Sequence, residues 1–389
     1  MVLEGTVRRV GERVRVTAQL TSTDDGRLLW SERYDRTADD VLAIQDEIAR
    51  TIVETLRATT FADLAPPPRR HSENDRAYNL NLKGRFEWNR RTQESMTAAI
   101  RYFEQAIAED PGYALAYTGL ADCYALEMDY RSVPVTPGFE RAKAYARQAI
   151  ALDDGLAEAH ASLAWCLYIH DWDWAAAEHE FRRALECDAR YSVAHQWYAF
   201  LLIVRGQFAD ALAAAHTAVE LDPGSVSPRR SLAWAYYYQR RYDQARLHLE
   251  RALAMNPTSE ETYRALGLVL AVEGETAEAE RVLREVTTVG PPGSYTQATL
   301  GYALARAGRE DEARAILADL EAERRAGYVS PVAFATTLIG LGEHERALDE
   351  AERAAADRRG WVVYLRTNPL LDPLRGHPRF EALARAVGV

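Results

Sequence analysis

The chain has 389 residues, of which 48% are hydrophobic, 10% aromatic and 27% charged. That composition belongs to a globular protein of more than one structural unit and excludes a disordered chain. Lys+Arg 47 against Asp+Glu 58 leaves a net charge of −11, which opposes a sequence-independent grip on a phosphate backbone and sets nucleic acid aside as main partner. Cys123, Cys166 and Cys187 are odd in number, far apart and without CxxC spacing, so neither a disulfide framework nor a zinc module is indicated and a reducing cytoplasm is expected. No run of about 18 apolar residues offers a membrane span, and MVLEGTVRRVGERVRV lacks the apolar core of a signal peptide.

Residues 1–57 read as three strands and a helix. VLEGTVRR, ERVRVTAQL and RLLWSERY alternate apolar and polar residues, with turns expected at Val10-Gly11-Glu12 and Asp24-Asp25-Gly26. DDVLAIQDEIARTIVETLRA then places Val41, Ile44, Ile48, Ile52, Val53 and Leu56 on one helical stripe. Three strands and one helix are a small core, and the open strand edge suggests pairing with another chain, a homodimer included. Residues 58–74 carry Pro66-Pro67-Pro68 followed by charges, the composition of a stiff, extended linker.

From residue 75 a repeat takes over. Pro223, Pro257 and Pro291 stand 34 residues apart, and the same step links Ala199, Ala233, Gly267, Gly301 and Ala335, and again Ala211, Ala245, Ala279, Ala313 and Ala347. A turn register reads Gly206, Arg240, Gly274, Gly308, Gly342, broken once by arginine. Small residues let paired helices approach closely, while Leu232, Leu266, Leu300 and Leu249, Leu283, Leu317 fill the buried stripes between. Stretches such as SLAWAYYYQRRYDQARLHLERALAMNP resemble the tetratricopeptide repeat. The resemblance implies a mainly α protein, a right-handed superhelix of about eight helix-turn-helix units. They run roughly over 75–111, 112–155, 156–190, 191–224, 225–258, 259–292, 293–327 and 328–359, with EMDYRSVPVTPG inserted in the second. Residues 360–389 form a helical cap and tail.

The ends carry a second resemblance. VLEGTVRRVGERVRVTAQL, GRLLWSERYDR and VLAIQDEIA are similar to the second half of a TolB-amino-terminal-like domain, and LRTNPLLDPLRGHPRFEALARAVGV resembles the tail of the same bacterial signalling proteins. Those proteins include class III adenylate cyclases, winged-helix regulators and serine/threonine kinases, whose output modules would lie upstream.

No GxSxG, GxxxxGK[ST], HExxH, DFG or Rossmann fingerprint occurs, so no catalytic, cofactor or metal residues are expected. His160, Cys166 and His170, or His179 and Cys187, do not match a standard zinc spacing, and Asp171-Trp172-Asp173-Trp174 reads as a packed inter-helix turn. What stands out is an aromatic ladder: Trp165, Phe200, Trp234 and Tyr302 take equivalent places on successive first helices, with Leu268 between, and Tyr168, Ile203 and Tyr237 lie one turn on. Arg230 and Arg264, one repeat apart, offer charge to an anionic group, and Gln196 shares the face. Asparagines that clamp a C-terminal carboxylate in this family are replaced here by Trp165, Phe200 and Trp234, so that clamp is not carried over.

The reading of the sequence is therefore a non-catalytic protein- or peptide-binding scaffold with partner-groove residues Trp165, Tyr168, Gln196, Phe200, Arg230, Trp234, Tyr237, Arg264 and Tyr302. Two other readings stay open: the regulatory region of an adenylate cyclase-type enzyme, and a small-ligand sensor.

Overall fold

The structure, a computed structural model, describes residues 2–11, 13–23, 27–37, 41–59, 71–90, 92–130, 135–288 and 290–389. Outside them fall the expected turn at Asp24-Asp25-Gly26, Glu12, the linker prolines 66–68, part of the insertion in the second repeat, and the side chains of Val41 and Leu56. The chain divides into two compact units, Met1–Cys123 and Tyr124–Val389.

The first unit opens with an antiparallel sheet in the order β1 (Val2–Val10), β2 (Arg13–Thr21), β3 (Leu28–Thr37). The pairing sets Val7 against Val16 and Val16 against Tyr34, with a bulge between Leu20 and Thr21. Alternation puts Val14, Ala18, Leu20 and Tyr34 in the core beneath α1 (Val41–Thr59), whose Ile44 is buried with them. This helix packs on β3 and β2. Val7 of β1 keeps 73% of its surface in solvent, so the apolar face of the sheet is covered on one side only.

Sixteen further helices follow in eight successive pairs among the described residues: α2 (Asp75–Arg90) and α3 (Gln93–Glu109), α4 (Ala114–Tyr130) and α5 (Thr136–Leu152), α6 (Ala157–Cys166) and α7 (Trp174–Cys187), α8 (Ser192–Val204) and α9 (Phe208–Leu221). They continue with α10 (Val226–Tyr238) and α11 (Tyr242–Met255), α12 (Glu260–Glu273) and α13 (Thr276–Glu285), α14 (Ser294–Arg306) and α15 (Glu310–Ala326), α16 (Pro331–Gly340) and α17 (His344–Ala356). A last helix, α18 (Pro378–Val387), comes after two 3-10 segments, Gly360–Tyr364 and Pro369–Leu374.

In the second unit the small positions do what the spacing requires. Ala211, Ala245, Ala279, Ala313 and Ala347 are fully buried. A methyl group added at Gly267 of α12 would stand 2.4 Å from Leu283 Cγ of α13, so the pair closes only because glycine is there. Leu232, Leu249, Leu266, Leu283 and Leu317 are buried, and Leu300 is half-buried. Pro223 and Pro257 each stand two residues beyond a second helix and cannot continue it.

The turn register is a backbone requirement. Gly206, Gly274, Gly308 and Gly342 all have positive φ (71°, 110°, 78° and 72°), and Arg240 adopts the same geometry at 61°. The register extends by the same step back to Trp172 (62°) and forward to Gly376 (81°). Residues 360–389 thus keep the cadence of a repeat whose first helix is replaced by 3-10 turns, with Pro369 and Pro373 in the second of them. Between Ala164 and Trp172 the chain holds one residue more than between Ala199 and Gly206. A π-helical turn over Leu167–Asp171 absorbs it.

Candidate functional site: the inner wall of the second unit

First helices pack on one another in two runs, α6 on α8 and α8 on α10, then α12 on α14 and α14 on α16, and the rings Trp165, Phe200 and Trp234 lie along the first run. Trp165, Phe200 and Trp234 are half-buried. Trp165 packs against Trp197 (ring centroids 5.0 Å), Tyr168 (5.2 Å) and Phe200 (6.2 Å), while Trp234 packs against Tyr237 (5.3 Å) and Tyr238 (6.2 Å). The indole N–H of Trp165 is buried without an acceptor. A place in a partner groove requires exposure of each ladder residue, and Tyr302 does not have it: this residue retains 5% of its surface, because the neighbouring first helix presses its backbone at Gly340 against it. Tyr168 and Tyr237 are fully buried, and burial drives the Tyr237 phenol well above its ordinary pKa.

Of the polar candidates, Gln196 and Arg230 are committed to polar partners within the protein, while Arg264 meets a ring. Gln196 Nε2 donates to Ser227 Oγ at 2.9 Å, Arg230 pairs with Glu261 at 2.6 Å, and the Arg264 guanidinium lies 5.7 Å from the Tyr295 ring centroid.

What covers the buried members is the chain itself. Tyr364 stacks on Tyr238 (5.0 Å, 22°), meets Phe200 edge-on (6.5 Å) and shares a 3.0 Å hydroxyl–hydroxyl hydrogen bond with Tyr168. Four residues on, Asn368 Oδ1 accepts from the Tyr237 hydroxyl at 2.9 Å. Four further, Asp372 takes a two-pronged pair from Arg240, 2.5 and 2.9 Å. Burial resists the ionisation of Asp372, but Arg240 and Arg375 outweigh it and hold the carboxyl below its usual range. At the start of the segment, the Arg358 guanidinium sits 3.7 Å from the Trp172 ring centroid and donates to the His170 carbonyl at 3.4 Å. Gly360 lies so close to Ile169 that a Cβ there would stand 2.6 Å away. The π-turn therefore supplies Tyr168, Ile169 and His170 to one contact.

Beside this wall, Glu140, His170 and Asp171 bring three ligand-type atoms together, but Lys143 Nζ stands among them, 2.9 Å from Glu140 and 2.8 Å from Asp171. An ammonium already balances these carboxylates; burial lowers its pKa, yet the two acids carry it above its ordinary value. His160 is engaged by Glu180 at 2.6 Å and Cys166 is buried. Asp173 caps α7 by accepting from the Ala176 amide.

The tetratricopeptide repeat family matches residues 205–268 and 89–130, and the helix pairs outside those stretches repeat the same helix-turn-helix architecture. Repeats of this kind make interaction scaffolds for proteins rather than catalytic sites. Over 123 residues, 31% of this chain, the sequence is 38% identical to a Rhizobium meliloti (strain 1021) protein named "Putative adenylate cyclase 3". The match spans 21% of that relative, about a fifth of its length. Among solved structures, the human IFIT1 dimer with m7Gppp-AAAA superposes with a TM-score of 0.58 over 89% of this chain and 78% of that one, at 15% identity. A tetratricopeptide repeat protein from Parabacteroides merdae gives 0.45 over 68% and 98%, also at 15%. No described helix is long and apolar enough to cross a membrane.

Proposed function

We propose that the second unit is a recognition module of a bacterial, cytoplasmic signalling protein and holds an extended protein segment along its wall of first helices. The observation that carries this is the graded ladder: Trp165, Phe200 and Trp234 on three successive first helices keep part of their surface in solvent while Trp197, Tyr168 and Tyr237 beside them are buried. Large rings held rigidly at the centre of a concave surface are what a partner buries most profitably. An anionic group of the partner would meet Arg264, since Arg230 already binds Glu261. The net charge of −11 supports a protein partner over the kind of RNA with which IFIT1 was solved. The open edge of β1 fits a homodimer formed by strand addition, checked by sedimentation of the chain with and without Val7→Lys.

The test is peptide selection on the intact protein. Peptides enriched on the wild-type chain should lose about 30-fold in affinity on Trp234→Ala, the equivalent of about 2 kcal/mol, with the melting temperature little changed. Enrichment of nothing, or of the same peptides with equal affinity on both chains, overturns the proposal.

A second reading is favoured by the stretch at 38% identity: a regulatory region of an adenylate cyclase-type enzyme. It expects the Rhizobium meliloti relative to change its rate of cyclic AMP formation when its matching stretch is removed, and the chain described here to form none from ATP.

A further inference from the structure

The described residues include three non-glycine positions with left-handed φ: Trp172 (62°), Arg240 (61°) and Arg358 (53°). An L side chain rarely sits there without compensation. All three meet at the contact between the inner wall and residues 358–374. Arg358 covers Trp172, and Arg240, at a register position that is glycine at 206, 274, 308, 342 and 376, reaches Asp372 with both of its terminal nitrogens. The π-turn that interrupts the first helix of its repeat contributes Tyr168 to the same contact. Local departures from the repeat and from relaxed backbone geometry thus coincide at one surface, and each contributes a side chain to holding an irregular polypeptide segment.

The contact has a pattern. Tyr364, Asn368 and Asp372 are spaced by four, and each is met by a different chemistry: a ring stack with a phenol hydrogen bond, a phenol donor to an amide oxygen, and a guanidinium to a carboxylate. Of the three, the ion pair is half in solvent, with 50% and 37% side-chain exposure for Arg240 and Asp372, whereas Tyr364 and Asn368 are buried. Such a set discriminates, because a segment lacking the amide or the carboxylate would leave a buried phenol or a guanidinium without its partner.

We propose that the wall formed by α6, α8 and α10 is a selective docking site for a protein segment presenting a tyrosine, an amide and a carboxylate at four-residue spacing, and that residues 360–374 are its resident occupant. A partner gains the wall by offering the same pattern and displacing that segment. This rests on the recognition function proposed above and names its partner's chemistry.

The experiment uses the full chain carrying Tyr364→Ala and Asp372→Ala, and as probe a fluorescein-labelled synthetic copy of residues 358–374 with the natural sequence. The copy should bind this chain at least tenfold more tightly than it binds wild type, whose wall is occupied. Adding Arg240→Glu should remove at least tenfold of that affinity, and a copy with Asp372→Arg should regain it. Equal binding to both chains, or to neither, overturns the proposal. If the double variant does not fold, Arg240→Ala in the otherwise natural chain decides: amide exchange across 360–374 must accelerate ahead of α10 and α11, and exchange in step with those helices sinks the idea. A wild-type dimer that the copy splits would assign the resident segment to a second copy and overturn the intrachain occupancy. Peptides that depend on Trp234 but are not displaced by the copy would leave the recognition function standing and remove this inference alone; a binding copy with no Trp234-dependent peptides would do the reverse.

Discussion

Gly267 and Gly206 show how differently one residue type is demanded along the same repeat. At Gly267 the constraint is space: Leu283, itself buried, lies within 2.4 Å of where a Cβ would be. Gly267→Ala should lower stability by about 1–3 kcal/mol through overpacking, read as a shift in the denaturation midpoint at unchanged slope. At Gly206 nothing lies within 4 Å of that position, and the demand is φ of 71° alone, so alanine there should cost about 1 kcal/mol. A titrating residue gives a prediction of another kind. Burial, reinforced by Arg251, Arg229 and His216, holds His248 down at about 4. The unfolded chain then takes up this proton before the folded one does. The contribution of His248 to stability is complete above its ordinary pKa of 6.5 and is lost as pH falls towards 4. His248→Gln should flatten that part of the stability–pH curve. His160 behaves oppositely: burial lowers its pKa, but Glu180 and the Asp154 carbonyl raise it further. Its contribution is present below 6.5 and is lost as pH rises through the elevated folded value.

At the scale of elements, much was legible in advance. Alternation read strands in VLEGTVRR, ERVRVTAQL and RLLWSERY, which the structure places at Val2–Val10, Arg13–Thr21 and Leu28–Thr37, and the step of 34 marked the helix pairs of the C-terminal half. Both signals are local: side chains two apart share a sheet face, and residues one repeat apart share an environment. The ladder was legible for the same reason, but its accessibility was not, since whether Tyr168 or Tyr237 faces solvent depends on residues 196 and 131 positions later. Two local marks of the contact did stand in the sequence: the arginine that breaks the glycine register at 240, and the extra residue before Trp172. An aberration in a strict repeat is a place to look for function, because each copy without it shows what packing alone requires. The sheet offers a prediction of its own. With β1 paired on one side only and Val7 exposed, amide protons on its outer edge should exchange markedly faster than those joining β2 to β3, and equal protection would argue that the edge is covered in solution.

For the molecule as a whole, a repeat stack normally joins each unit to its neighbours alone, and its stability is close to a sum of nearest-neighbour terms that can melt piecemeal. The Tyr364, Asn368 and Asp372 contacts tie distant units of the stack together. Unfolding of the second unit should accordingly be one sharp transition, and Tyr364→Ala with Asp372→Ala should broaden it or split it in two by circular dichroism.

The same separation sets a clock during synthesis. Asn368 follows its partner Tyr237 by 131 residues, and at about 5–20 residues per second the ribosome needs about 7–26 s to deliver it. Until that segment is made, the rings of α6, α8 and α10 lack the cover it gives them in the finished chain. The nascent chain therefore passes through a stage in which the wall is open to whatever lies nearby, and a chaperone or a partner engaged then competes with nothing resident.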